Sequence, residues 1–315
     1  MSIYRSVRAV TGASGDGPVD WAAVTDAARA STDPGDLEMS DAERQGYADD
    51  VADARDRVRE VTALEFDLPE RVEVMNRHHW LDANVGTFER VMDPIEQQAE
   101  VMPGFARVIN TGSMAFAISF LSNHVLGQYD PLLLADGEAH ALYFVRPNIQ
   151  NVADVLDAEY DRFRRWIAFH EVTHAAEFGA APWLPEHLES TMMDAVENLT
   201  SGSIDRDSLG ELDTTMTAVE GYAELIMDEA FDDEYEDLRR KLDERRQGRS
   251  PVEQLIRRLL GLSVKRRQYE RGKQFFDDVV QASDIETAGR VWESPDMLPT
   301  DAEFDDPQAW LARIE

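Results

Sequence analysis

The chain has 315 residues, 43% of them hydrophobic, with 63 acidic against 31 basic side chains and a formal net charge of −32. It has no cysteine, which excludes disulfides, thiolate nucleophiles, Cys-ligated zinc and Cys-bound iron–sulfur clusters. Six Trp and thirteen Phe argue for a real core, and the acidic excess argues against general nucleic-acid binding. Within the basic set Lys supplies only three residues (Lys241, Lys265 and Lys273) and Arg the other 28. An Asp-rich, Lys-poor surface of this kind fits a salt-rich cytoplasm, where counterions screen the self-repulsion. No apolar signal core follows Met1–Arg8, and the most apolar stretch, Met114–Leu121, is too short to span a bilayer. The expectation is a soluble, cytoplasmic protein without membrane or nucleic-acid partners.

In chain order, residues 1–17 are Gly/Ser-rich and read as a mobile segment. Residues 18–315 read as one domain, with two lobes around a central site as the variant of that reading. Helical patterns dominate. Trp21–Arg29 is short and amphipathic, and Ser40-Asp41-Ala42-Glu43 reads as a capping box opening a long acidic helix toward Leu64. Arg77–Met92 should be helical. Phe105–Leu126, apolar on nearly all faces, is expected in the core.

One segment breaks the helical period. Pro131–Ala135 and Ala139–Val145 flank Asp136-Gly137, the pattern of a β-hairpin. Helices are then expected over Asp157–Phe178, Pro185–Leu199, Leu212–Phe231, Glu234–Gln247, Val252–Leu260 and Val264–Ala282. Residues 239–273 carry thirteen basic and four acidic side chains, a local charge of +9. That is either a face neutralising acidic neighbours or a dock for an anionic ligand.

His170-Glu171-Val172-Thr173-His174 is an HExxH motif on the Asp157–Phe178 helix, with Asp157 as its cap and Gly179 in the left-handed terminal position. Phe163, Ile167, His170, His174 and Phe178 share one face. Two imidazoles one turn apart can supply two corners of a tetrahedral Zn²⁺ site. Glu171 lies about 100° round the helix, placed to reach water rather than metal. The third ligand is best sought in Val219-Glu220-Gly221-Tyr222-Ala223-Glu224. Glu220 interrupts the apolar stripe of Met216, Ala223 and Met227, a costly position unless a cation meets it. Gly221, unfavourable in mid-helix, implies close approach to the His helix. Glu224 is the candidate outer carboxylate for the far nitrogen of His170 or His174. His187 is the candidate for substrate or oxyanion contact.

These stretches resemble a known family. Asn76–Asn84, Val125–Pro131, Pro147-Asn148-Ile149, the HExxH segment, Pro182-Trp183-Leu184, Glu220–Glu224 and Trp292–Pro295 together are similar to the zincin-like hydrolases associated with biosynthesis of the deazaflavin coenzyme F-420. The resemblance covers roughly residues 20–315. It implies a mainly α, zincin-like metallopeptidase fold with a small β-hairpin or sheet before the HExxH helix. It leaves the substrate open. The chemistry of the motif adds hydrolysis of an amide bond in a peptide or peptide-like molecule, with Glu171 as general base on a zinc-activated water. The alternative is a non-catalytic zincin-like binding or accessory protein in deazaflavin coenzyme metabolism.

Overall fold

The computed structural model describes residues 2–11, 19–98, 103–131, 140–200, 206–231, 237–238, 240–241 and 262–315. The named elements, in order, are α1 (Ser2–Thr11), α2 (Trp21–Ser31), α3 (Asp41–Thr62), β1 (Arg71–Met75), α4 (Arg77–Gln98), α5 (Pro103–Ser122), β2 (Gly127–Asp130) and β3 (Ala141–Val145). They continue with α6 (Arg146–Leu156), α7 (Tyr160–Ala180), α8 (Leu184–Thr200), α9 (Arg206–Ala230), α10 (Leu262–Ala282), α11 (Ile285–Gly289), three short 3-10 turns and α12 (Pro307–Ile314). The fold is mainly helical with one small sheet, as the sequence predicts. No helix among the described residues is long and apolar enough to cross a membrane.

The chain divides into two compact units. The first comprises the described parts of residues 1–38, 71–152 and 193–204. It holds the sheet, ordered β1-β3-β2, with β1 parallel and β2 antiparallel to β3. Every residue of β3 is buried, which fits its unbroken apolar run, Ala-Leu-Tyr-Phe-Val. Gly127–Asp130 pairs antiparallel with Ala141–Phe144, whereas most of the predicted first strand, residues 132–135, lies outside the described residues. The predicted turn at 136–137 lies outside the described residues. β1 was not expected. Its Arg-Val-Glu-Val-Met pattern is that of an edge strand, and its partner lies seventy residues on, at Arg71↔Ala141.

Helices of this unit pack Val24, Ala27, Ala28, Leu81, Ala115 and Ile118 into one cluster. α5 is less central than its composition predicts: Ile118 is buried, yet Phe116 is half exposed. Ser2–Thr11, within the stretch read as mobile, is helical, with Ala9 and Val10 against that cluster.

The second unit comprises the described parts of residues 39–70, 153–192 and 205–315. Here α3 and α9 both pack on α7, and α10 packs on α9. Ser40 caps α3 as predicted, accepting from the Glu43 backbone N–H. Burial of Phe163, Ile167, Phe169 and Val172 on α7, with Ala218, Tyr222 and Ile226 on α9, forms the core between them. Arg164 is buried too, and its Nε donates to Asp50 of α3 at 2.6 Å. The α7 boundaries correct two expectations. Its cap is Glu159, whose carboxylate accepts from the Asp161 and Arg162 backbone N–H groups, and Asp157 sits before it at φ 50°. Gly179 stays helical. A Cβ there would meet the Phe66 side chain at 2.7 Å, so glycine serves packing rather than a left-handed cap. Of the basic run 239–273, residues 239 and 242–261 lie outside the described residues, and so does the predicted Val252–Leu260 helix; of the predicted Glu234–Gln247 helix, residues 237–238 and 240–241 are described and helical.

Candidate metal centre

α7 presents His170 and His174 one turn apart, their rings 4.7 Å between centroids and nearly perpendicular. Trp166, one turn before His170, lies against it with ring centroids 5.8 Å apart. α9 brings in Glu220, buried at 4% exposure. One ligand atom each from His170, His174 and Glu220 falls within 4.8 Å of the others. Among them, His174 Nε2 stands 4.0 Å from Glu220 Oε2. Two donors of one tetrahedral zinc ion stand about 3.3 Å apart, given bond lengths of about 2.0–2.1 Å. The three side chains are gathered around one point, and a contraction of about 0.7 Å between His174 and Glu220, and of up to about 1.5 Å for the widest pair, would bring them to that spacing. The donor set, two imidazoles and one carboxylate, suits zinc and not the all-oxygen preference of calcium or magnesium.

The spacing between α9 and its neighbours has a specific cause. A Cβ on Gly221 would lie 2.4 Å from the backbone of Gly272 in α10, and one on Gly272 would lie 2.3 Å from the Thr217 carbonyl oxygen. The two helices thus touch backbone to backbone at the residue after Glu220. The close approach predicted from Gly221 is real, but it is made to α10 and not to the His helix.

Around the three donors sit further acids. Glu171 is buried at 8% exposure, its Oε1 3.6 Å from His170 Nδ1. Glu177, wholly buried on α7, accepts a hydrogen bond from His174 Nδ1 at 2.8 Å. Glu224 is buried one turn beyond Glu220. Sequence reasoning gave the outer-carboxylate role to Glu224. For His174 that place is taken by Glu177, which an acid-rich sequence hides among ordinary surface glutamates.

The electrostatics follow. Burial disfavours a charged His174 ring, but the carboxylates of Glu177, Glu220 and Glu171 outweigh it and raise the pKa to about 9. Burial pushes the Glu177 carboxyl up to about 7, against the pull of His174. Tyr222 packs edge-on against Phe276 and Trp292, each at 5.4 Å. Its phenol is pushed well up, by burial first and by Glu177 second. His187, on α8, stacks edge-on against Trp183, and its Nε2 is 3.1 Å from Thr215 Oγ1 on α9. It is not among the three gathered donors.

A family model described as zincin-like metallopeptidase matches residues 19–207 and 196–311. The chain belongs to that family. This zincin also superposes on a crystal structure from Chloroflexus aurantiacus, described as a candidate hydrolase with a novel fold. The TM-score is 0.79 at 29% identity, covering 94% of this chain and 98% of that one. No curated protein matches the sequence.

Proposed function

We propose that this zincin is a zinc-dependent hydrolase of an amide bond in a peptide or peptide-like substrate, with His170, His174 and Glu220 as the metal ligands. The observation that carries the reading is Glu171. A buried carboxylate beside the donor group, but outside it, has no use in a purely structural zinc site. Zinc, when bound, supplies a Lewis acid that polarises a carbonyl and acidifies water. Glu171 accepts the proton of the attacking water at its carboxylate as the water oxygen bonds to the carbonyl carbon. It then returns that proton to the leaving nitrogen as the C–N bond breaks. Glu220 and the two imidazoles hold position throughout.

The resemblance to the deazaflavin-associated hydrolases directs the substrate search to deazaflavin coenzyme metabolism, whose coenzyme carries glutamate amides. His187 is the proposed side-chain donor to the substrate. The basic run 239–273 is the proposed contact for an anionic part of the substrate. Peptide and metabolite profiling by mass spectrometry in high salt, with wild type and Glu171→Gln, tests the reading. The expected result is full zinc content in both and turnover lower by about 10²–10⁴-fold or more in the variant. Equal turnover removes Glu171 from the base role. Zinc with no turnover in the wild type over a broad substrate panel would favour the accessory-protein alternative.

A further inference from the structure

We infer that Glu177 is the positioning residue of the metal centre: its carboxylate fixes the tautomer and ring orientation of His174, so that Nε2 faces the metal. The inference rests on the zinc reading above and adds a residue outside the HExxH motif to it.

An imidazole has two nitrogens, and only the one without hydrogen can ligate. Glu177 Oε2 lies 2.8 Å from His174 Nδ1. A carboxylate there accepts a hydrogen and therefore requires Nδ1–H, which leaves the lone pair on Nε2. Nε2 is also the atom that faces Glu220, at 4.0 Å. The hydrogen bond and the donor cluster thus demand the same tautomer. A negatively charged acceptor also makes the ring a stronger donor to a cation.

The cost of Glu177 argues in the same direction. Its side chain is wholly buried, and its second oxygen, Oε1, has no hydrogen-bond partner among the described residues. Burying a half-satisfied carboxylate costs several kcal/mol, which packing alone would not justify. A leucine would fill the same place between α7 and α9 without that penalty. The gain must come from His174. His170 differs, because its Nδ1 stands 3.6 Å from Glu171, beyond hydrogen-bond length. Of the two imidazoles, His174 is the one hydrogen-bonded to a carboxylate of its own helix.

The test compares wild type, Glu177→Leu and Glu177→Gln. Zinc affinity is read by competition with a chromophoric chelator, metal-free stability by thermal melting, and the ligating nitrogen by ¹¹³Cd–¹⁵N coupling in histidine-labelled protein. Glu177→Leu is expected to weaken zinc binding by about 10- to 100-fold. Its metal-free melting temperature should not fall, since the buried charge is gone. Glu177→Gln, which keeps an acceptor oxygen, should recover most of the affinity. Cadmium coupling should fall on Nε2 of His174 in wild type and in Glu177→Gln, and shift or vanish in Glu177→Leu. Wild-type zinc affinity in Glu177→Leu overturns the inference. So does a loss of affinity that merely parallels a loss of metal-free stability, with coupling still on Nε2. Should Glu177→Leu not fold, coupling on Nδ1 of His174 in the wild type alone overturns it. A wild type that binds neither zinc nor cadmium overturns the zinc reading and this inference together.

Discussion

Asn148 and Glu177 are deeply buried polar side chains, one in each compact unit, and their surroundings differ. In the first unit Asn148 is 1% exposed and fully used: its amide nitrogen donates to the Ser122 and Val125 carbonyls, and its oxygen accepts from Arg77 Nε. In the second unit Glu177 is buried as deeply, yet one of its oxygens has no hydrogen bond, and Glu171, Glu220 and Glu224 crowd the same region. A neutral, saturated network costs little and locks a loop in place. A cluster of buried carboxylates and imidazoles carries a desolvation cost that a bound cation would offset. The contrast separates architecture from site without reference to any motif.

Three substitutions probe that contrast, beginning with the largest effect. Glu220→Gln should lower zinc affinity by at least ~100-fold, more than a change outside the ligand shell costs. Its metal-free melting temperature should hold or rise, because a buried charge has been removed. Metal titration followed by melting with and without zinc reads both. Asn148→Ala should behave in reverse. It leaves two carbonyls and the Arg77 guanidinium without their partner, so stability should drop by about 2–3 kcal/mol. Zinc affinity should stay within error of wild type. If Asn148→Ala weakened zinc as much as Glu220→Gln, the division between architecture and site would fail.

The smallest effect belongs to a carboxylate that is paired in the ordinary way. Glu303 bonds to Arg313 and to Thr300, and the Arg313 guanidinium holds its carboxyl below the usual range. A depressed folded pKa contributes stability above the unfolded value of about 4.3. That contribution is lost as the pH falls through the folded value. Glu303→Gln should therefore lower the urea midpoint slightly at pH 7, and the difference should close as the pH falls toward 3. A difference that instead widens in acid would contradict the sign.

The HExxH pair was legible because helical spacing alone puts residues 170 and 174 on one face. Glu220 was legible because an acid on the Met216–Met227 stripe conflicts with burial unless a cation meets it. Glu177 was not. It stands three residues after His174, the right interval for a same-helix contact. But one glutamate among 29 carries no mark of burial until α9 is known to cover it. The helical class and β3 could be read from local pattern. β1 could not, since a parallel edge strand carrying Arg71 and Glu73 is defined by its distant partner β3. Gly221 announced a close contact without saying to what. Gly272, inside a run of Arg and Lys, gave no sign that it was the other half.

That glycine pair bears on how the protein can be divided. A fragment ending at Phe231 would contain the HExxH helix, Glu220, Glu177 and Glu171, the side chains of the metal centre. It would lack the backbone of α10 against which Gly221 rests. Packing on α7 and α3 would remain, but α9 would lose the contact that limits its position on the α10 side, and the carboxylate beside Gly221 would be freer to shift relative to the imidazoles. The minimal functional piece of this zincin thus includes a helix that contributes none of those side chains, and a truncation that ignores it keeps the residues but loses that limit.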